Sequence, residues 1–203
     1  MFRRPASSRT AVLAAASLIL SVPATACAQH PAGMNAHAHV TIPEGASYTV
    51  ADVEFMQGMI AHHAQAIHMS RMAESRRADP RLLRLAEKIG QSQVAEIRIM
   101  QDWLLRNGQA APDTSSWRTM QMAGMLTPAQ LDSLEAATGP AFDHAYLTMM
   151  IQHHEGALDM VEALFAVPGA GQDVDVNVFA NDVVSVQTAE IGAMRRMLSE
   201  LSD

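Results

Sequence analysis

Apolar residues recur at helical rather than strand spacing over four long stretches, and the four come as two pairs. The first runs from Thr49 to about Ser75 and the second from Pro80 to about Arg106. Thr49 is placed to cap the first, with Asp52 and Glu54 putting negative charge in its opening turn. Asp79-Pro80 breaks the pattern and suits the start of the next helix, which Asn107-Gly108 closes as a left-handed C-terminal cap would. The period is lost over residues 109–126, and Thr127-Pro128 then opens a short helix that ends by Gly139-Pro140. A third long helix is predicted over about 140–166 and a fourth over about 174–201, separated by Pro168-Gly169-Ala170-Gly171.

The two halves repeat one another. Asp52, Phe55, Met59, Ile60, His62, His63, Ala66 and Met69 recur as Asp143, Tyr146, Met150, Ile151, His153, His154, Ala157 and Met160. In the following helices Gln93, Glu96, Ile97, Met100 and Leu104 recur as Gln187, Glu190, Ile191, Met194 and Leu198. A helical hairpin that cannot bury its apolar stripe alone can do so on its twin, so the expected fold is all-α, a four-helix bundle built from two repeated hairpins. The hairpins are residues 50–107 and 140–203, with a linker and short helix over 108–139.

The repeat puts adjacent histidines in both halves, and an imidazole in a core needs a hydrogen-bond partner or a metal. Advancing about 100° per residue from Phe55, His63 falls near 80°, in the middle of the apolar arc, and His62 near 340°, at its edge. The same holds for His154 and His153, so the central pair is expected inside and the outer pair bordering solvent. An antiparallel hairpin centred near residues 78 and 79 sets His62 and His63 within a turn of Gln93 and Glu96; Gln187 and Glu190 repeat the arrangement.

Taken singly, a buried histidine is ordinarily hydrogen-bonded and does no chemistry, and methionines at helical spacing ordinarily fill a core. Histidine, methionine and glutamate at one level of both hairpins point instead to a metal site. His62-His63 lacks the His-Glu-x-x-His spacing of a zinc protease. A di-iron centre of the ferritin kind needs more interior carboxylates than Glu96 and Glu190 supply, and neither has a histidine three positions on. Imidazole and thioether donors favour copper over iron or zinc, and Cu(I) best accounts for the methionines. The expected ligands are His62, His63, Met59 and Met69, with His153, His154, Met150 and Met160 in the second half. Glu96 and Glu190 either coordinate or accept the second N–H of a ligand. Met120, Met122 and Met125 add a thioether cluster in the linker.

Composition fits this picture. Methionine is over-represented, fifteen in 203 residues, and the single cysteine, Cys27, lies in an N-terminal segment with the marks of an export signal. Arg3, Arg4 and Arg9 precede an apolar run from Ala11 to Val22 that is short for a membrane span, and Ala26-Cys27-Ala28 offers small residues for cleavage. Residues 1–28 are therefore expected to be removed, giving a periplasmic or secreted protein; lipid anchoring through Cys27 is the rival reading. No further run is long enough for a membrane span. Residues 29–49 read as a disordered leader carrying His30, Met34, His37 and His39. Three of the fourteen basic residues leave with the signal and none of the twenty-one acids does, a balance that argues against nucleic acid as a partner.

The repeated motifs resemble a bacterial family named domain-of-unknown-function family 305. The resemblance is carried by Asp52-Val53-x-Phe55-Met56-x-x-Met59-Ile60-x-His62-His63-x-x-Ala66, by Gln93-x-x-Glu96-Ile97-x-x-Met100 and by Met122-x-x-Met125. It continues through Phe142-Asp143, Met149-Met150-Ile151-x-His153-His154-Glu155-Gly156-Ala157 and Gln187-x-x-Glu190-Ile191. Membership implies a ferritin-like helical bundle, usually exported, and an association of some members with copper through histidine and methionine. His68 has Asp159 as its counterpart and Val53 has His144, so two sites would differ in affinity. The expected role is copper sequestration or transfer, without catalysis, with metal ions, a copper-delivery or export partner and a second copy of the chain as candidate partners. A metal-dependent redox enzyme and a structural or partner-binding bundle without metal are the alternatives.

Overall fold

The computed structural model describes residues 40–201; the signal and the histidines of the leader at 30–39 lie outside them. Five helices follow in order: α1 (Val50–Met72), α2 (Pro80–Arg106), α3 (Pro128–Ala136), α4 (Pro140–Ala166) and α5 (Val174–Leu201). Single 3-10 turns stand at Ala73–Ser75 and Ser116–Arg118, and no strand occurs among the described residues. α1 pairs with α2, α4 pairs with α5, and the two hairpins meet through α1 and α4.

Start signals are built as the sequence implies. Thr49 and Asp52 form a reciprocal capping box: the Asp52 amide donates to Thr49 Oγ1 at 3.3 Å and the Thr49 amide to Asp52 Oδ2 at 2.7 Å. Thr127 and Gln130 repeat the device on α3, and Pro80, Pro128 and Pro140 occupy first-turn positions.

Two hydrophobic clusters fill the molecule. One joins the first half of α1 (Val53, Met56, Met59, Ile60) to the last half of α4 (Ala157, Val161, Leu164) and to Phe179 and Val183 of α5. The other joins Ala66, Met69 and Met72 to Phe142, Tyr146 and Met150 and to Met194. The start of α1 therefore meets the end of α4, and the two cross antiparallel. α4 changes cluster across His153-His154, between Met150 and Ala157.

α1 is buried almost all round, including Gln57, Gln65 and Ser70, as expected of a helix enclosed by others rather than of a one-faced surface helix. Residues 40–49, expected within the disordered leader, pack on the bundle instead. Tyr48 is buried with its ring edge-on to Trp103 at 5.2 Å, and its hydroxyl donates to the Asn107 carbonyl at 3.0 Å. Tyr48 adjoins the cap at Thr49, so the core that α1 builds captures its ring.

The repeat also fastens the hairpins together. Asp52 Oδ1 accepts the Gly171 amide at 2.7 Å from the turn of the second hairpin, and Asp143 accepts the Asp79 amide at 3.1 Å from the turn of the first. Equivalent aspartates thus each anchor their own helix start to the other hairpin's bend. Asp52→Ala removes a cap and leaves a buried amide without a partner, so we expect a loss of about 2–4 kcal/mol, or roughly 5–10 °C in Tm. Asp143→Ala should cost less, since no side chain caps α4 at Gly139. Thermal unfolding of the two variants tests this; a change below about 1 kcal/mol in both would show that the ties do not hold the hairpins.

Candidate metal centre

All four repeated histidines are fully buried, and the structure divides them differently from the helical projection. His62 and His153 do not border solvent. They face each other across the α1–α4 crossing with ring centroids 3.8 Å apart and planes tilted by 40°. The projection placed them at an edge because it knows only one helix. α1 is covered on that side by α4 and by the linker, whose Ala123 carbonyl lies 3.1 Å from His62 Nε2.

The central pair behaves as the hairpin register implies. His63 Nε2 lies 2.6 Å from Glu96 Oε2, and His154 Nε2 lies 3.0 Å from Glu190 Oε2. The two dyads differ in setting, for Glu190 is almost wholly buried whereas Glu96 keeps 21% of its side chain exposed. Lys88 approaches Glu190 Oε1 at 3.7 Å from α2. Glu96 is held below the usual carboxylate range: burial opposes its charge, but the His63 hydrogen bond and the fields of His63 and His154 outweigh that.

An Nε2–H that donates to a carbonyl or a carboxylate leaves the Nδ1 lone pair as the unspent valence of a neutral imidazole. Nδ1 of His62, His63 and His154 is buried without a hydrogen-bond partner, and so are both ring nitrogens of His153. Such groups ordinarily cost about 1–3 kcal/mol each when left unpaired. An oxygen acceptor behind the ring is also what orients a metal-binding histidine. Burial, followed by the fields of His63 and His154, lowers the His62 pKa to about 3 against the pull of the Ala123 carbonyl. Burial and then His62, His154 and His63 hold His153 well below its ordinary value. Both rings are therefore neutral, the form that binds metal, across the physiological range.

Among the described residues, no three His, Cys, Asp or Glu side chains gather closely enough to cage a metal ion. A site at this crossing must draw on thioethers. Met160 is half-buried, and its methyl would lie 3.4 Å from a Cβ placed on Gly58, one turn before His62. The sulfur of Met122 would lie 3.3 Å from the same point, so the linker brings a thioether beside Gly58 that its sequence could not locate. Met59, Met69 and Met150 are fully buried in the two clusters. Met125 is buried and Met120 only partly so.

The linker can lie here because Gly156 has no side chain: a Cβ there would collide with the Ala123 carbonyl and with Gly124 Cα. Gly124 itself has φ of 72°, and a Cβ on it would stand 2.6 Å from the Gln152 carbonyl. Gln65 completes the seating by exchanging two hydrogen bonds with the Leu126 backbone, at 2.7 and 3.1 Å. Gly156 stands beside His153-His154 in the motif, but only the tertiary approach of the linker gives it meaning.

A scan against family models matches residues 52–198 to "Domain of unknown function (DUF305)". The chain belongs to this family. A predicted secreted DUF305 protein from Streptomyces coelicolor is 30% identical, with 75% of this chain and 94% of that one covered at a TM-score of 0.65. A DUF305 fragment from Deinococcus radiodurans is 28% identical over 75% and 98% of the two chains, also at 0.65. CopM in its Cu(I)-bound form is 27% identical over 73% and 96%, at 0.59, and CopM has also been solved with Cu(II) and with silver. A search of curated proteins gave no match.

The depressed pKa of His62 has a consequence for the metal-free protein. An unfolded histidine binds a proton below about pH 6.5 whereas the folded one does not, so stability is full above that pH and falls as pH drops from there towards 3. We expect Tm to fall by roughly 5 °C or more between pH 7 and pH 5. The drop should shrink in His62→Gln. An unchanged slope in that variant would show that His62 does not carry it.

Proposed function

We propose that this DUF305 protein binds copper as cargo, with Cu(I) the favoured state, and sequesters it or hands it on. The observation that carries the reading is the His62–His153 pair, neutral and buried, three of whose four ring nitrogens lack hydrogen-bond partners. The structures of CopM with Cu(I), Cu(II) and silver support a soft metal as the ligand class. His62 and His153 would supply imidazole nitrogen at the crossing. His63 and His154, oriented by Glu96 and Glu190, would serve flanking positions rather than complete one cage with that pair, since no three such side chains gather around one point among the described residues. Met160 and Met122 are the thioethers beside Gly58, and Met59, Met69 and Met150 line the two clusters on either side. Soft sulfur donors and a dry pocket stabilise Cu(I) over Cu(II). Export to the periplasm or beyond accords with this role.

A structural bundle without metal is the second reading, favoured by the absence of a three-residue His/Cys/Asp/Glu cluster among the described residues. The two readings part on one titration. Protein purified without chelator or affinity tag is titrated with Cu(I) against a competing chelator, and its Tm is followed with and without the ion. Copper binding predicts a rise in Tm that grows with free Cu(I), together with at least a tenfold loss of affinity in His62→Ala/His153→Ala. His63→Ala/His154→Ala should also weaken binding. An unchanged Tm would favour the structural bundle, and a double variant with wild-type affinity would overturn the His62–His153 site.

A further inference from the structure

A cavity of about 340 Å³ opens between α1, α2 and the linker, on a face of α1 apart from the histidine crossing. Its floor is apolar, made by Ala64, Ile67, Val94 and Ile97. Its rim holds three guanidinium groups, Arg71 from α1, Arg98 from α2 and Arg118 from the linker, and no acidic residue lines it. That is unexpected in a chain of formal net charge −7. Among the described residues these three arginines form no ion pair, whereas Arg76, Arg81, Arg106 and Arg195 each hold a carboxylate.

One wall is aromatic. The Trp117 ring stacks on His68 at 4.8 Å with planes 25° apart, and the Arg118 guanidinium lies 5.4 Å from the Trp117 centroid. Burial keeps His68 below its ordinary pKa; Glu135 pulls the other way, and Arg118 and Arg71 push it down further. Glu135 is itself engaged by Arg76 at 3.3 Å. Past Arg71 the groove continues between Glu74 and Glu87, so positive charge is confined to the Trp117 end.

From this arrangement we infer that the cavity binds a small organic anion, a carboxylate or phosphate ester with a flat apolar body. The body would lie on the apolar floor against Trp117, and the head group would meet Arg71, Arg98 and Arg118. Arginine forks suit both head groups, and the volume matches a small-molecule site. The inference stands apart from copper and uses none of the proposed ligands.

Trp117 provides the readout, since the other tryptophan, Trp103, is sealed in the core. Metal-free full-length protein is titrated with phenyl phosphate, benzoate, inorganic phosphate and phenol while its fluorescence is followed. Saturable quenching by phenyl phosphate or benzoate at sub-millimolar concentration is expected, with the tighter of the two naming the head group. Arg71→Gln/Arg98→Gln should weaken it at least tenfold, and Arg71→Lys/Arg98→Lys should recover part of the loss. The inference falls if neither aromatic anion binds below about 10 mM. It falls equally if phenol or inorganic phosphate binds as well as the tighter aromatic anion, or if a folded glutamine variant binds unchanged.

Discussion

Four imidazoles share one dry layer of this bundle, and the remaining structure is arranged around that fact. Buried ring nitrogens without partners oppose folding, and apolar residues of similar size would fill the same space at lower cost. The surroundings meet the cost only in part. Ala123 takes one N–H and Glu96 and Glu190 take two more, so Nε2 is supplied on three rings, while every Nδ1 and the Nε2 of His153 are not. Chance burial would not leave the same Nδ1 atom unpaired on all four rings. The copper binding proposed above would account for the pattern, because a metal needs those atoms neutral, oriented and unoccupied.

The twofold repeat explains how such a layer is built, and its departures explain why the halves are not equivalent. Asp52 and Asp143 each reach across to the other hairpin's turn, so the register of α1 on α4 is pinned from both ends. Pinning at the ends fixes the crossing, and the crossing brings His62 to His153. The linker follows only one side of it. At that side Gly156 makes room, while the equivalent position on α1 is Gln65, which binds the linker instead. One chain segment therefore uses two members of a repeat pair for opposite purposes. The glutamates diverge as well, one sealed and approached by Lys88, the other partly open.

Much of the fold is legible in the sequence because local chemistry marks its punctuation. Thr49, Asp79-Pro80, Asn107-Gly108, Thr127-Pro128 and Gly139-Pro140 bound the helices within a few residues of where they lie. Hairpin register, which depends only on a short turn, also places Glu96 against His63. Legibility fails where a third element intervenes. A helical projection ranks His62 by its angle to a single stripe, and it cannot include a linker that has no period of its own. The linker's Met122 and Ala123 carry no pattern that foretells their seat beside Gly58 and His62, and Gly156 is silent until the linker lies on it. Tyr48, two residues before α1, falls by sequence in the disordered leader, although the core of α1 captures it.

The same linker sets the terms on which a buried layer can exchange anything with solvent. With all four histidines wholly buried, an ion reaches them only when something moves, and helices α1 and α4 are packed on both sides of the crossing. The segment from Met120 to Leu126 is irregular backbone. Met125 and Leu126 anchor its end in the core; before them its seat rests on the His62–Ala123 contact and one bond from Gln152 to Gly124, with the Gln65–Leu126 pair beside them. Residues 120–124, irregular and little buried, open at lower free energy than helices in a core. Opening this one would free the Nε2 of His62 and withdraw the Met122 thioether together. On the proposed copper reading, coordination and cover are coupled in a single element, so a softer hold on the linker would speed exchange and weaken retention at once.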